Sequence, residues 1–187
     1  MSIKIQPITN AELDRAQKMI EEMSKKILFI NMDNVLIDFQ SGIDRLDEKT
    51  KQAFGKYNDR NGNKHEAHYD DVPGIFALMD PMSGAIEAVQ KLRKRYNLYI
   101  LTTAPWGNPT AWCDKLNWVK KHFGGGEDSA FYKRLILTHH KELCHGDYLI
   151  DDRPDKCCVG GFNGEVIRFG SSKYPDWDTV VEYLMGK

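Results

Sequence analysis

Short, unbroken apolar runs recur along the chain, and several end in a polar cluster. The first is Lys26–Ile30, whose Ile27-Leu28-Phe29-Ile30 leads into Asn31-Met32-Asp33. Others are Leu98–Leu101, Leu135–Leu137, Tyr148–Ile150 and Val166–Phe169. Runs without polar alternation suit the inner strands of a parallel sheet, which is covered on both faces. Helical spacing fills several of the gaps. Ser83–Tyr96 carries Ile86, Val89, Gln90 and Leu92 as a rough apolar stripe, and Pro109–Phe123 follows Asn108 as N-cap with Pro109 at the first helical position. Tyr174–Met185 predicts a closing helix ended by Gly186. A further helix is expected over residues 8–25. Thr9 and Glu12 have capping-box spacing there, and Leu13, Ala16, Met19, Ile20 and Met23 form a stripe available to the core or to a partner.

Strands alternating with helices predict an α/β fold, a Rossmann-like doubly wound parallel sheet. Such sheets bind ligands at the carboxyl ends of their strands, where the polar clusters fall here. Residues 40–82 break the pattern. They are rich in Asp, Lys, Asn, Gly and His, with Phe54, Tyr57, Tyr69, Phe76 and Met79 scattered through. They read as a small, mostly helical cap insert over the strand ends. The expected organisation is an N-terminal helical extension over 1–24, a core formed by 25–39 and 83–187, and the 40–82 insert.

Bulk properties narrow the class. The 187 residues are 41% hydrophobic and 28% charged, as in an ordinary globular protein, with a formal net charge of −1. That balance argues against a nucleic-acid polymer or an anionic membrane surface as partner, so a small anionic substrate needs a local basic site. No apolar stretch is long enough to span a bilayer, and nothing resembles a signal peptide. Cys113, Cys144, Cys157 and Cys158 form no C-x-x-C pair and read as reduced thiols, the adjacent Cys157 and Cys158 as buried and inert. A cytoplasmic location is expected, and a homodimer is left open.

Four polar groups follow four of the apolar runs. They are Asn31-Met32-Asp33-Asn34-Val35-Leu36-Ile37-Asp38-Phe39, Thr102-Thr103, Lys141, and Asp151-Asp152-Arg153-Pro154. Hydroxyls and an ammonium suit phosphate oxygens, and clustered carboxylates suit Mg²⁺, a hard cation that takes oxygen ligands. A carboxylate attacking phosphorus divides hydrolysis into two easier steps, and a second acid two residues on serves as proton donor and acceptor. Alone, Asp33 would read as a strand-end cap, Thr102-Thr103 as strand residues and Asp151-Asp152 as a turn. Their occurrence in this order favours a common site.

The order N-x-D, Thr, Lys, D-D resembles the haloacid dehalogenase superfamily, whose motifs run D-x-D, Thr/Ser, Lys and D-D. More narrowly, Met32–Phe39, Thr102-Thr103-Ala104-Pro105, Leu149–Pro154 and the placement of Lys141 resemble the 5′(3′)-deoxyribonucleotidases. The likeness runs from about Lys26 to the C-terminus. It implies a Mg²⁺-dependent phosphatase that hydrolyses a nucleoside monophosphate through an aspartyl-phosphate. By resemblance, Asp33 is the general acid/base and its carbonyl meets Mg²⁺. Thr102 and Lys141 hold the phosphate with Thr103 beside them, and Lys115 is a second basic position reaching the phosphate or its rim. Asp152 ligates Mg²⁺, Asp151 ligates through water or orients Lys141, and Phe39 and Phe76 line a base pocket. On their residue types alone, Lys115 reads equally as a solvated surface lysine, and Phe39 and Phe76 as packing within the insert. His139 and His140 read as loop residues. Trp112, Trp118 and Trp177 read as packing residues, and Trp106 as a wall of the site.

The chain departs from the pattern at Asn31, where the family places the nucleophilic and metal-binding aspartate. A carboxamide oxygen is a poor nucleophile and a weaker ligand for Mg²⁺ than carboxylate. The expectation is therefore a nucleotidase scaffold whose nucleophile position is altered, whether by engineering to trap substrate, in a natural nucleotide-binding pseudoenzyme, or with slow catalysis by a bypass route. A phosphatase of another small phosphomonoester is the alternative enzyme reading.

Overall fold

The computed structural model of the chain describes residues 9–58, 60–156 and 159–187. Cys157 and Cys158 lie outside them, as does the side chain of Met23. Helix α1 (Asn10–Ser24) is followed by strands β1 (Ile27–Ile30) and β2 (Ile37–Asp38). Next come α2 (Phe39–Asp44), α3 (Glu48–Phe54), the hairpin β3 (Tyr57–Asn58) and β4 (Lys64–His65), α4 (Ile75–Leu78) and β5 (Asp80–Pro81). The chain then runs through α5 (Ala85–Leu92), β6 (Asn97–Thr102), α6 (Thr110–Phe123), β7 (Leu135–Leu137), β8 (Tyr148–Asp151), β9 (Glu165–Arg168) and α7 (Trp177–Met185).

The main sheet is parallel throughout, in the order β7-β6-β1-β8-β9. This is the expected α/β fold with a parallel sheet. β1 sits at its centre, with Ile30 opposite both Ile100 and Ile150. Its neighbours are therefore the strands ending in Thr102 and Asp151.

Alternate side chains feed two apolar layers. Leu28, Ile30, Leu98, Ile100, Tyr148 and Ile150 join the larger core with α5, α6 and α7. Phe29, Leu101 and Leu149 pack on the opposite face against Val159, Phe162 and the partly buried Cys144. Both layers exclude water, which explains why the strand sequences lack polar alternation. On α5 the buried face is Ala85, Ala88, Val89 and Leu92, while Gln90 of the sequence-based stripe is exposed. The small alanines allow the close approach of α7.

Local signals account for the helix ends. Asn108 Oδ1 accepts the Thr110 N–H at 3.1 Å, and Asp176 accepts that of Thr179 at 2.9 Å, so each satisfies an otherwise orphaned donor. The capping box of α1 forms as its spacing predicts, with Thr9 N donating to Glu12 and Glu12 N to Thr9 Oγ1. The apolar stripe behind it does not reach the core. Leu13, Met19 and Ile20 remain exposed.

Residues 39–79 are stemmed by the β2–β5 pair, with Ile37 opposite Pro81 and Asp38 opposite Asp80. Three short helices are joined there by the β3–β4 hairpin, which the polar composition of this stretch did not reveal. Trp118 of α6 donates its indole N–H to Met79 O at 2.8 Å, and Trp177 of α7 donates to Val35 O at 2.9 Å. Those bonds fix the stem and the turn after β1 to the core helices. Trp112 is partly exposed, unlike these two buried tryptophans.

Close backbone approach makes one glycine a sensitive test of this packing. A Cβ on Gly164 would lie 2.3 Å from Gly146 O and 2.6 Å from Asp147 O, atoms of the backbone leading into β8. Gly164→Ala is expected to lower the unfolding free energy by about 2 kcal/mol, as overpacking against unyielding atoms does. Urea denaturation checks this, and an unchanged midpoint would contradict the packing described.

Candidate active site

β1 ends at Ile30, and Asn31 continues its ladder by donating its backbone N–H to Ile150 O at 2.8 Å. The chain then turns sharply. Met32 O accepts from the backbone N–H groups of Val35, Leu36 and Ile37, at 3.3, 2.9 and 3.0 Å. Asn34 takes a positive φ of 55°, a conformation that Asn tolerates better than most residues. Met32, Val35 and Leu36 are buried beneath the turn, leaving Asn31, Asp33 and Asn34 on its polar side.

Two buried ammonium groups organise this end of the sheet. Lys141 Nζ lies 2.5 Å from Asp151 Oδ2 and 3.2 Å from Asn31 Oδ1. Asp151 also accepts the Arg153 backbone N–H at 2.8 Å. Lys115, with no exposed surface, reaches from α6 to both Asp33 oxygens, at 2.6 and 2.8 Å, and to Thr102 Oγ1 at 3.1 Å. Its Nζ also sits 4.5 Å from the centroid of the Phe76 ring, over the electron-rich face that attracts a cation. Burial pulls the Lys115 pKa down, and the adjacent Asp33 carboxylate opposes that shift.

Asn31 links these groups to Asp152. Its Nδ2 donates to Asp33 O at 3.2 Å and to Asp152 Oδ1 at 3.1 Å. Asn34 Nδ2 reaches the other Asp152 oxygen at 3.4 Å. Burial pushes the Asp152 carboxyl above the ordinary carboxylate range, with Arg153 pulling the other way and Asp151 adding to the rise.

Above this cluster opens a cleft of ≈ 460 Å³, bordered by Asp33, Phe39, Tyr69, Asp70, Thr103, His139, Arg153 and Lys156 among others. A much smaller recess at its floor is lined by Asn31, Asp33, Thr103, Lys141, Asp151, Arg153 and Lys156. The floor is thus polar and rich in cations, while Phe39 and Tyr69 bring aromatic surface to the cleft. A groove of similar size beside α6, ≈ 490 Å³, is lined largely by apolar side chains such as Trp112, Leu116, Phe131 and Leu137. It holds no comparable cluster of paired acids and lysines.

Asn31, Asp33, Thr102, Thr103, Lys115, Lys141, Asp151 and Asp152 therefore do come together. Several expectations need correcting. Lys115 is not a solvated surface lysine. It is buried against Asp33, because a helix following β6 aims it beneath the turn after β1. Thr102 is fully buried, with its hydroxyl engaged by Lys115 and donating to Thr103 O, so Thr103 is the threonine that borders the cleft. Phe76 is fully buried and packs edge-on against Phe39 at 5.9 Å, so it supports the cleft wall without forming it. Trp106 is 88% exposed and does not border the cleft among the described residues; its ring lies edge-on to His139 with centroids 6.2 Å apart. Among the described residues, no three His, Cys, Asp or Glu side chains gather as a metal cage. The Asp33 and Asp151 carboxylates each face a lysine.

Tyr69, Asp70, His139 and Lys156 also border the cleft, although the sequence assigns none of them to the site and His139 reads there as a loop residue. His139 Nε2 is buried and has no hydrogen-bond partner among the described residues. Only its neighbour Lys141, one of the four polar signals, pointed toward it. Tyr69 and Asp70 lie in the insert, whose path over the sheet no local pattern encodes.

A parallel α/β sheet carrying acids, a buried lysine and a hydroxyl at the ends of its central strands defines a phosphatase of the haloacid dehalogenase type. Comparison with known proteins narrows the class. The family described as "5' nucleotidase, deoxy (Pyrimidine), cytosolic type C protein" matches residues 25–178, so the chain belongs to that family of phosphoric monoester hydrolases. A relative from Vibrio phage KVP40, provisionally named a 5′(3′)-deoxyribonucleotidase, is 50% identical over 170 residues, 91% of each chain. A relative from Staphylococcus epidermidis, with the same provisional name, is 30% identical over 160 residues, covering 80% of this chain and 86% of its own. The mitochondrial 5′(3′)-deoxyribonucleotidase of Homo sapiens is 30% identical over 172 residues, covering 82% and 68%.

Removing Lys115 tests the buried pair. Lys115→Met leaves the Asp33 carboxylate without its cation and is expected to cost about 3 kcal/mol of stability. Adding Asp33→Asn should recover part of that loss, because no orphaned charge remains. Urea melts of the single and double variants give both numbers. A single variant as stable as the parent would show that the pair is not buried as described.

Proposed function

We propose that the chain is a nucleotidase scaffold whose floor receives the phosphate of a deoxyribonucleoside monophosphate and whose cleft receives the sugar and base. The observation that carries this reading is Asn31 held between Lys141 and Asp152, beside Asp33, at the floor of a cleft with aromatic surface. Family membership supports the same substrate class.

Each side chain then has a task. Lys141 and Thr103 meet phosphate oxygens at the floor, with Arg153 and Lys156 adding positive potential on the approach. Asp151 holds Lys141 in place. Lys115 holds Asp33 toward the recess. Phe39 and Tyr69 offer flat apolar surface to a base, and His139 Nε2 offers a polar atom to sugar or phosphate. With aspartate at position 31, its oxygen forms a bond to phosphorus while the sugar oxygen leaves and takes a proton from Asp33. Water then attacks phosphorus and gives its proton to Asp33, and the aspartate is released with orthophosphate.

Mg²⁺ belongs to this reading on the chemistry of the donors. Asp33 O and an Asp152 carboxylate oxygen converge on one point, and both are the hard oxygen ligands such a cation takes. When bound, it would neutralise charge between phosphate and carboxylate. The Asn31 Nδ2 group facing these oxygens does not fit, because it presents hydrogens where a third oxygen is needed.

As written, the chain binds without efficient turnover, since the Asn31 carboxamide is a poor nucleophile. Phosphate release from dUMP and dTMP by the chain and by Asn31→Asp, with and without Mg²⁺, is the deciding measurement. The variant is expected to be faster by on the order of 10⁴-fold or more, and only with Mg²⁺. Sugar phosphates turned over faster than every nucleotide would sink the nucleotide assignment. No turnover of any phosphomonoester by Asn31→Asp would leave a binding protein.

A further inference from the structure

All three polar contacts of the Asn31 carboxamide depend on which way it faces. Nδ2 has two hydrogens, and both are taken, by Asp33 O at 3.2 Å and Asp152 Oδ1 at 3.1 Å. Oδ1 accepts from the Lys141 ammonium at 3.2 Å. Reversing the amide would set an oxygen against two acceptors and an NH₂ group against an ammonium. The network therefore assigns one orientation. A carboxylate at this position could satisfy Lys141 in the same way, yet it would leave Asp33 O and Asp152 Oδ1 without their Asn31 donor and set its own negative charge beside Asp152.

We propose that in this chain the Asn31 carboxamide stands in for the divalent cation, so that the phosphate floor is assembled without metal and metal binding requires the amide to be displaced. This rests on the reading of Asp33 O and Asp152 as the metal-facing oxygens. The argument is one of donors and acceptors. Two oxygens that lie within 3.2 Å of a single atom need positive charge between them. An amide NH₂ supplies it as two partial charges, whereas a carboxylate at the same place demands a full cation. Only 6% of Asn31 is exposed, so water is a poor substitute for either. A cation entering the present site would break both Nδ2 hydrogen bonds. Turning the amide to offer its oxygen would also deprive Lys141 of an acceptor. Each loss reduces the gain from the new metal–oxygen bonds.

The test compares the full chain with Asn31→Asp and Asn31→Ala, using Mg²⁺ alone and no nucleotide. Thermal melting in EDTA and in millimolar Mg²⁺ is read beside calorimetric titration with Mg²⁺. The parent should melt at the same temperature in both conditions. Asn31→Asp should melt lower than the parent in EDTA, because its carboxylate faces Asp152, and should rise on adding Mg²⁺ with an affinity on the order of 10-fold or more above the parent's. Asn31→Ala removes the donors without adding charge. It should also melt lower in EDTA and gain a response to Mg²⁺ that the parent lacks, which keeps the idea testable if the aspartate form folds poorly. Equal Mg²⁺ affinity in parent and Asn31→Asp overturns the proposal. So does a parent stabilised by Mg²⁺ as strongly as the variants, or an Asn31→Ala form that neither loses stability in EDTA nor responds to Mg²⁺. Because no step uses a nucleotide, a failed substrate assignment shows itself separately, as missing phosphate release.

Discussion

An ammonium group taken out of water must meet a carboxylate, and this chain buries two such groups at the same end of one sheet. Lys115 takes Asp33, and Lys141 takes Asp151. The isolated charges would each cost several kcal/mol, so the pairing constrains where α6 and the segment before β8 can sit. The parallel register supplies the rest. β1 lies between β6 and β8, so their ends deliver Thr102, Asn31 and Asp151 side by side.

The electrostatic state of the floor follows from these pairings. Each lysine neutralises one acid, and Asp152 is left as the carboxylate not matched to a buried lysine. Asn31 and Asn34 amides bond its oxygens, Arg153 flanks it, and burial still raises its pKa. A site of this form attracts positive charge at Asp152 and negative charge at Lys141 and Lys156. That is the polarity required to hold a phosphate and its counter-cation together. The neutral carboxamide at position 31 adds no charge to this floor, and it bonds Asp152 and Lys141 at once.

Much of this was legible in the linear chain. Asn31, Asp33, Thr102, Lys141, Asp151 and Asp152 each follow an apolar run, and in a parallel sheet every run ends on the same side. Lys115 was ambiguous, because a lysine beside Asp114 on a helix has the same sequence appearance whether it faces water or Asp33. Phe76 lies behind the cleft wall and not in the pocket that the resemblance implies. An aromatic in an irregular insert has no periodicity to show its facing, and contact with Phe39 and Lys115 decided it. Tyr69, Asp70 and His139 gave no signal because their place at the cleft depends on how the insert and the loop after β7 cross the strand ends.

Local patterns along the chain encode the α/β layering, the identity of the acids and lysines, and the carboxamide at position 31. Apolar runs and residue chemistry are local properties, and they survive in one dimension. Tertiary structure decided which acid pairs with which lysine, that Thr103 borders the cleft while Thr102 is buried, and that the Asn31 amide points its hydrogens at Asp33 O and Asp152. Those outcomes depend on distances between residues up to about 120 positions apart, which packing alone brings to hydrogen-bond range.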